Sequence, residues 1–229
     1  MENNKIIDEF LPCIDKKYQA FHSRLVNNID PNRILGVRIP VVRKIAKQMV
    51  KNNTYNKILL SPNKYYIEEL ELYGMIVNNL RLSYEQTINY VQKMLPYIDN
   101  WAVCDTMQFD VFKKHPNNLL PQIKGWLKDK HIYTQRFGIV CLIKYFAGDM
   151  FNEEILNLSM LPKSNDYYIQ MAKAWFYSVV AVKHFDIVKN LLQSQKLSTN
   201  VHNFTIKKCC ESLRLTKQQK TILQELKIK

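Results

Sequence analysis

Three stretches of this chain open 35 residues apart: "YTQRFGIVCLIKYF" at Tyr133, "YIQMAKAWFYSVVA" at Tyr168 and "NFTIKKCCESLRL" at Asn203. Each starts near a turn and carries a polar residue followed by small and apolar ones. A recurrence of that length marks helical hairpins stacked one on the next. Other features agree. The chain has only five glycines, which helices tolerate and β-structures with many tight turns rarely do. No segment alternates strictly. Apolar residues instead recur at helical spacing, as in Leu70, Tyr73, Val77 and Leu80, and in Ile187, Val188, Leu191 and Leu192. Start signals sit at Asp30-Pro31, at Ser83 before Tyr84-Glu85-Gln86, and at the break Pro162-Lys163-Ser164-Asn165. The expectation is an all-α fold of roughly a dozen helices, a superhelical stack of antiparallel helix pairs with a concave basic groove. It is read as a single repeat domain over residues 1–229.

Charge narrows the partner. Lys and Arg number 33 against 20 Asp and Glu, a net +13. Between Lys16 and Lys51 nine basic residues accompany one acid, Asp30, and the segment from Thr205 onward is basic too. Such a balance points to a long anion, nucleic acid first. No apolar run is long enough to span a bilayer, so no membrane partner is expected. Five cysteines without regular spacing point to reduced thiols and a cytoplasmic location, without a disulfide framework or zinc. No phosphate-binding glycine loop, dinucleotide fingerprint or HExxH helix is present, and the five histidines lack metal-ligand spacing. No cofactor is expected. Stacked repeats cover their own core, so a monomer is the default.

A few side chains carry possible chemistry. In "PYIDNWAVCDTMQFDVFKKHP" Trp101 precedes Asp105 by one helical turn, so the two point the same way. An indole face and a carboxylate both attract a cation. A core Trp beside a surface Asp is the plainer reading. Arg136, in "TQRFGIV", is either a phosphate anchor or an ordinary paired Arg. Lys144 follows it by two turns, giving a basic stripe or a solvated one. Trp175, in "AKAWFYSV", is either core or site.

"IDNWAVCD", "VFKKHPNNLLPQIKGWL", "YTQRFGIVCLIKYF" and "YYIQMAKAWF" occur in the order, and near the spacing, found in the AlkD-type DNA alkylation repair proteins. "ILGVRIPVVRKIAK" resembles their N-terminal helix start. The resemblance spans about residues 18–188. It implies HEAT-like repeats gripping double-stranded DNA, especially alkylated DNA, close to the nucleoid. It further implies excision of N3- and N7-alkylated purines by cleavage of the N-glycosidic bond. The family's catalytic Trp and Asp fall on Trp101 and Asp105, its arginine on Arg136 and its second aromatic wall on Trp175. DNA-contacting basic positions fall on Arg38, Arg43, Lys44 and Lys144. For the aromatic of the N-terminal helix, Tyr18, Phe21 and His22 are all candidates. Two positions depart from active relatives. Asn100 stands where some carry a second Trp, and "FYSVVAVK" after Trp175 is apolar where an Arg is often found.

An alkylated purine carries positive charge, and positive charge develops on the deoxyribose as the base leaves. The resemblance therefore implies that Asp105 stabilises that charge and positions a water. Trp101 and Trp175 would flank sugar and lesion, and Arg136 would hold a phosphate. Two other readings stay open: a non-catalytic DNA-binding relative, and a protein-binding helical scaffold.

Overall fold

The computed structural model describes residues 5–229, so the first four positions of the expected repeat domain lie outside the described residues. Those described form fifteen α-helices and no strand. The all-α expectation therefore holds, with more helices than a count from mean length gives. The excess is short: α1 (Lys5–Phe10), α4 (Asn56–Leu59), α7 (Trp101–Thr106) and α8 (Asp110–Lys114) have six residues or fewer. The contacts gather into two compact units, residues 1–115 and 116–229.

In the first unit, α2 (Lys16–Leu25), α3 (Ile39–Lys51), α5 (Ile67–Asn79), α6 (Tyr84–Met94) and α7 are the main pieces. Helix α5 is its axle, packing on both α3 and α7. It is buried nearly all round, including three acids in "IEELEL", Glu68, Glu69 and Glu71. Burying carboxylates is costly unless they are hydrogen-bonded. Two of the three are. Glu69 Oε2 accepts from the Tyr66 N–H at 3.1 Å, closing the start of its own helix. Glu68 reaches sideways to the turn before α3. Its Oε1 accepts from the N–H groups of Gly36 (2.8 Å) and Val37 (3.3 Å), and its Oε2 from that of Leu35 (3.1 Å). Gly36 makes this turn possible. Its φ is +88°, and a Cβ there would lie 2.6 Å from Gln19 Cβ and 2.8 Å from the Asp15 carbonyl.

The start signals read from sequence behave unevenly. Ser83 and Gln86 form a reciprocal capping box on α6, at 3.2 and 3.0 Å. By contrast Asp30-Pro31 opens only a single 3₁₀ turn, Pro31–Arg33, and α3 begins at Ile39. The chain between them is extended because Leu35–Val37 give their N–H groups to Glu68 rather than to a helix.

In the second unit, α10 (Ile132–Cys141), α12 (Tyr167–Val180) and α14 (Thr199–Glu211) lie side by side. They are the three stretches that recur every 35 residues. Tyr133 meets Tyr168 at 5.9 Å and Tyr167 meets Phe204 at 6.0 Å. Tyr133, Tyr167 and Tyr168 come from the first turns of α10 and α12, which run the same way, and Phe204 from the second turn of α14. The helices between them, α11 (Glu153–Ser159) and α13 (Phe185–Gln193), and the following α15 (Lys217–Glu225) complete the pairs. Helix α9 (Pro116–Trp126) packs on α10, with Trp126 buried against Phe137 at 5.0 Å. On α13 three residues of the expected apolar stripe, Val188, Leu191 and Leu192, are buried, whereas the fourth, Ile187, is exposed. Past Cys141 the helix widens into a π-helical segment, Leu142–Phe146. No helix among the described residues is long and apolar enough to cross a membrane.

Candidate active site

Helix α7 carries Trp101 and Asp105 and is only six residues long. So short a helix has little stability of its own, and its neighbours hold it. Asn100, with no exposed surface, is the N-cap. Its Oδ1 accepts from the Val103 N–H at 3.0 Å, and its Nδ2 donates to Asp99 Oδ1 at 3.0 Å. Asp99 is ion-paired with Arg33. Arg33 also donates from Nε to the Tyr65 carbonyl at 3.0 Å, and Asn28 Nδ2 donates to the Asp99 carbonyl at 2.9 Å. The departure at position 100 thus has a structural role: it sets where α7 starts and which way its side chains face. Asn100→Ala removes that cap. The expected result is a loss of about 1 kcal/mol in unfolding free energy, measured by denaturant titration, with Asn100→Ser recovering part of it.

Ala102, Val103 and Cys104 face the core, which leaves Trp101 and Asp105 half-exposed. Trp101 is not sealed in the interior. Its indole N–H donates to the Leu25 carbonyl at the end of α2, at 3.4 Å. That contact brings the C-terminal half of α2 beside the indole. Of the three N-terminal aromatic candidates, Phe21 is the open one, 51% exposed. Tyr18 lies under the Arg38 guanidinium, 4.5 Å from its ring centre, and stacks on His22 at 5.2 Å. His22 is buried, which pushes its imidazole pKa down.

Of the basic candidates in this unit, Arg38 is exposed but held by Asp15 at 2.9 Å. The Tyr18 N–H and Arg38 together keep the Asp15 carboxyl below its ordinary pKa. Arg43 and Lys44 are exposed on α3.

In the second unit Arg136 is 6% exposed, and its Nη1 donates to the Tyr168 carbonyl at 2.6 Å. It ties α10 to the first turn of α12. Lys144 is half-buried in the π-helical segment. The two-turn stripe expected of Arg136 and Lys144 is not formed, since one faces inward and the widened turn alters the register between them. Trp175, half-exposed two turns along α12 from Tyr168, lines a cleft of about 290 Å³. Ser178, Val179 and Val182 share its wall, and Lys208 and Arg214 stand opposite. Lys208 is paired with Glu211 at 2.8 Å. Glu211 lines the cleft as well, so the positive charge that the next repeat brings beside Trp175 rests mainly on Arg214. The signal was in the recurrence, since 35 residues after Trp175 is Cys210, within the Lys208–Arg214 stretch.

No group of His, Cys, Asp or Glu among the described residues is arranged to hold a metal ion. Burial pushes the Cys209 thiol up to about 12 and raises that of Cys141 further, so both are neutral structural groups.

No curated protein matches the sequence. The profile of the family described as "DNA alkylation repair enzyme" matches residues 9–213. With nearly the whole chain covered and an all-helical repeat architecture beneath it, this chain belongs to the DNA alkylation repair enzyme family, the AlkD type, and its role is in DNA repair.

Proposed function

We propose that the protein is a DNA glycosylase that excises cationic N3- and N7-alkylated purines from duplex DNA by hydrolysing the N-glycosidic bond. The observation that carries this reading is the half-exposed pair of Trp101 and Asp105, one turn apart on a helix that Asn100 caps. Asp105 opposes the charge that grows on the deoxyribose and positions the attacking water. Trp101 supplies an aromatic wall, with Phe21 from α2 as the second ring on that side. Trp175 packs against the sugar–phosphate strand. The lesion's own charge gives selectivity, so no base-reading pocket is required. Arg136 acts first as a positioning residue for α12, because 6% exposure leaves little of its side chain for a ligand. Its expected phosphate contact comes second.

Arg38, Arg43, Lys44, Lys144, Lys208 and Arg214 are proposed to meet backbone phosphates. Arg43→Ala and Arg214→Ala should each lower the slope of log K against log salt by about one phosphate's worth, whatever the sequence. A slope unchanged in both removes them from the footprint. The function itself is tested by incubating the protein with methylated duplex and measuring free 7-methylguanine and 3-methyladenine. Release above the spontaneous rate supports the reading. Tight duplex binding with no release would instead make the chain a non-catalytic DNA-binding relative. The protein is proposed to act as a cytoplasmic monomer on nucleoid DNA.

A further inference from the structure

The turn between α14 and α15 holds one apolar side chain almost wholly in water. Leu213 is 98% exposed, while Leu215, two residues on, is 5% exposed. A single exposed leucine is ordinary on a protein surface. Its setting here is not. The turn is fixed on both sides of it. The Ser212 N–H donates to the Cys209 carbonyl at 3.2 Å, ending α14. The Arg214 N–H then donates to Ser212 Oγ at 3.2 Å. Thr216 and Gln219 close a reciprocal capping box on α15, at 3.2 and 3.0 Å. With Leu215 anchored in the core between these bonds, the turn presents Leu213 outward in a defined direction.

The surroundings indicate what it meets. Ser212 and Arg214, its two chain neighbours, line the cleft that holds Trp175. From Lys208 to Lys220 there are four cations, Lys208, Arg214, Lys217 and Lys220, and one acid, Glu211. Glu211 lines the same cleft and is paired with Lys208 at 2.8 Å. Arg214 and Lys217 are exposed. A protein interface gathers apolar residues at its centre, whereas Leu213 is flanked along the chain by Ser212, Arg214, Thr216 and Lys217. An apolar tip among cations fits a duplex, whose phosphates take the cations while its stacked bases take the tip.

We propose that Leu213 is a wedge that enters between adjacent base pairs of the bound duplex, beside the strand that Trp175 packs against. It is a positioning residue: it loosens the stack and does not touch the bond that breaks. Steps that unstack easily are then preferred. The inference rests on the duplex-binding part of the function proposed above.

The experiment places 2-aminopurine, whose emission rises when it unstacks, next to a single mismatched pair in a duplex and adds the full chain. Emission should rise on saturation with the wild type, and Leu213→Ala should lose most of that rise. Leu213→Met, unbranched but still apolar, should keep it. The wild type should also bind the mismatched duplex about tenfold more tightly than the matched one, and Leu213→Ala should bind the two about equally. Both variants should melt with the wild type, because a side chain 98% exposed supports no packing. Base release from methylated duplex is measured alongside, so the two readings fail separately. Release without a rise in emission overturns the wedge and leaves the glycosylase reading standing, and a rise without release does the reverse. Equal emission from the wild type and Leu213→Ala also overturns the proposal, and leaves Leu213 to a protein partner or to plain surface.

Discussion

Asp105→Asn should abolish release of 7-methylguanine from methylated duplex, by a factor of about 10² to 10³ or more, while duplex binding is kept. The size follows from the work assigned to the carboxylate. Removing one preorganised group from where charge develops costs on the order of 3–4 kcal/mol in the barrier. Asparagine keeps the volume and hydrogen-bonding reach of the side chain but not its charge. Asp105 is half-exposed near the end of α7, away from the core face of Ala102, Val103 and Cys104. The substitution therefore leaves the fold intact, and a thermal melt should show it. Single-turnover base release separates this from a binding defect, since a lost transition-state contact lowers the chemical rate without changing the affinity for plain duplex. A variant that releases base at the wild-type rate removes Asp105 from the mechanism.

Glu68→Ala should be the most damaging single change to the first unit. It takes the acceptor away from three N–H groups in the turn before α3. Those groups are buried with Leu35, Gly36 and Val37. Leaving buried donors unmet costs about 1–3 kcal/mol each, less where water enters, so a loss of about 4 kcal/mol is expected. For a chain of this size that is roughly 8–16 °C in melting temperature. Glu68→Gln is the informative companion. Its carbonyl oxygen can serve Gly36 and Val37, but its amide would face the Leu35 N–H donor to donor, so an intermediate loss is expected. Equal melting of all three proteins would show that the clasp is not what orders this turn.

These two residues show how unevenly the chain could be read. The second unit was legible because α10, α12 and α14 each bury a long helix in the same layer, so their apolar content repeats at 35 residues. The first unit has no such repeat. Its key helix, α7, is shorter than two turns and held by Asn100, Asp99 and Arg33, contacts no periodicity encodes. Charge counting treats Glu68, Glu69 and Glu71 like any acids, yet all three are buried and each has a different fate. Position 100 read as a missing aromatic, because a capping amide is recognisable only once the helix start is known. Arg136 and Lys144 looked like one stripe because ideal helical spacing was assumed through a segment that in fact widens. Trp101 and Asp105 were visible from spacing alone, but that they face outward was decided by which neighbours α7 buries.

The hydrogen bond from the Trp101 indole to the Leu25 carbonyl makes that ring a built-in optical probe. Its emission depends on whether the end of α2 stays seated, and Trp126, packed against Phe137, contributes a steady background. In a Trp175→Phe variant, a shift in tryptophan colour or brightness on adding DNA would therefore report a change at the Trp101 indole, with no dye attached.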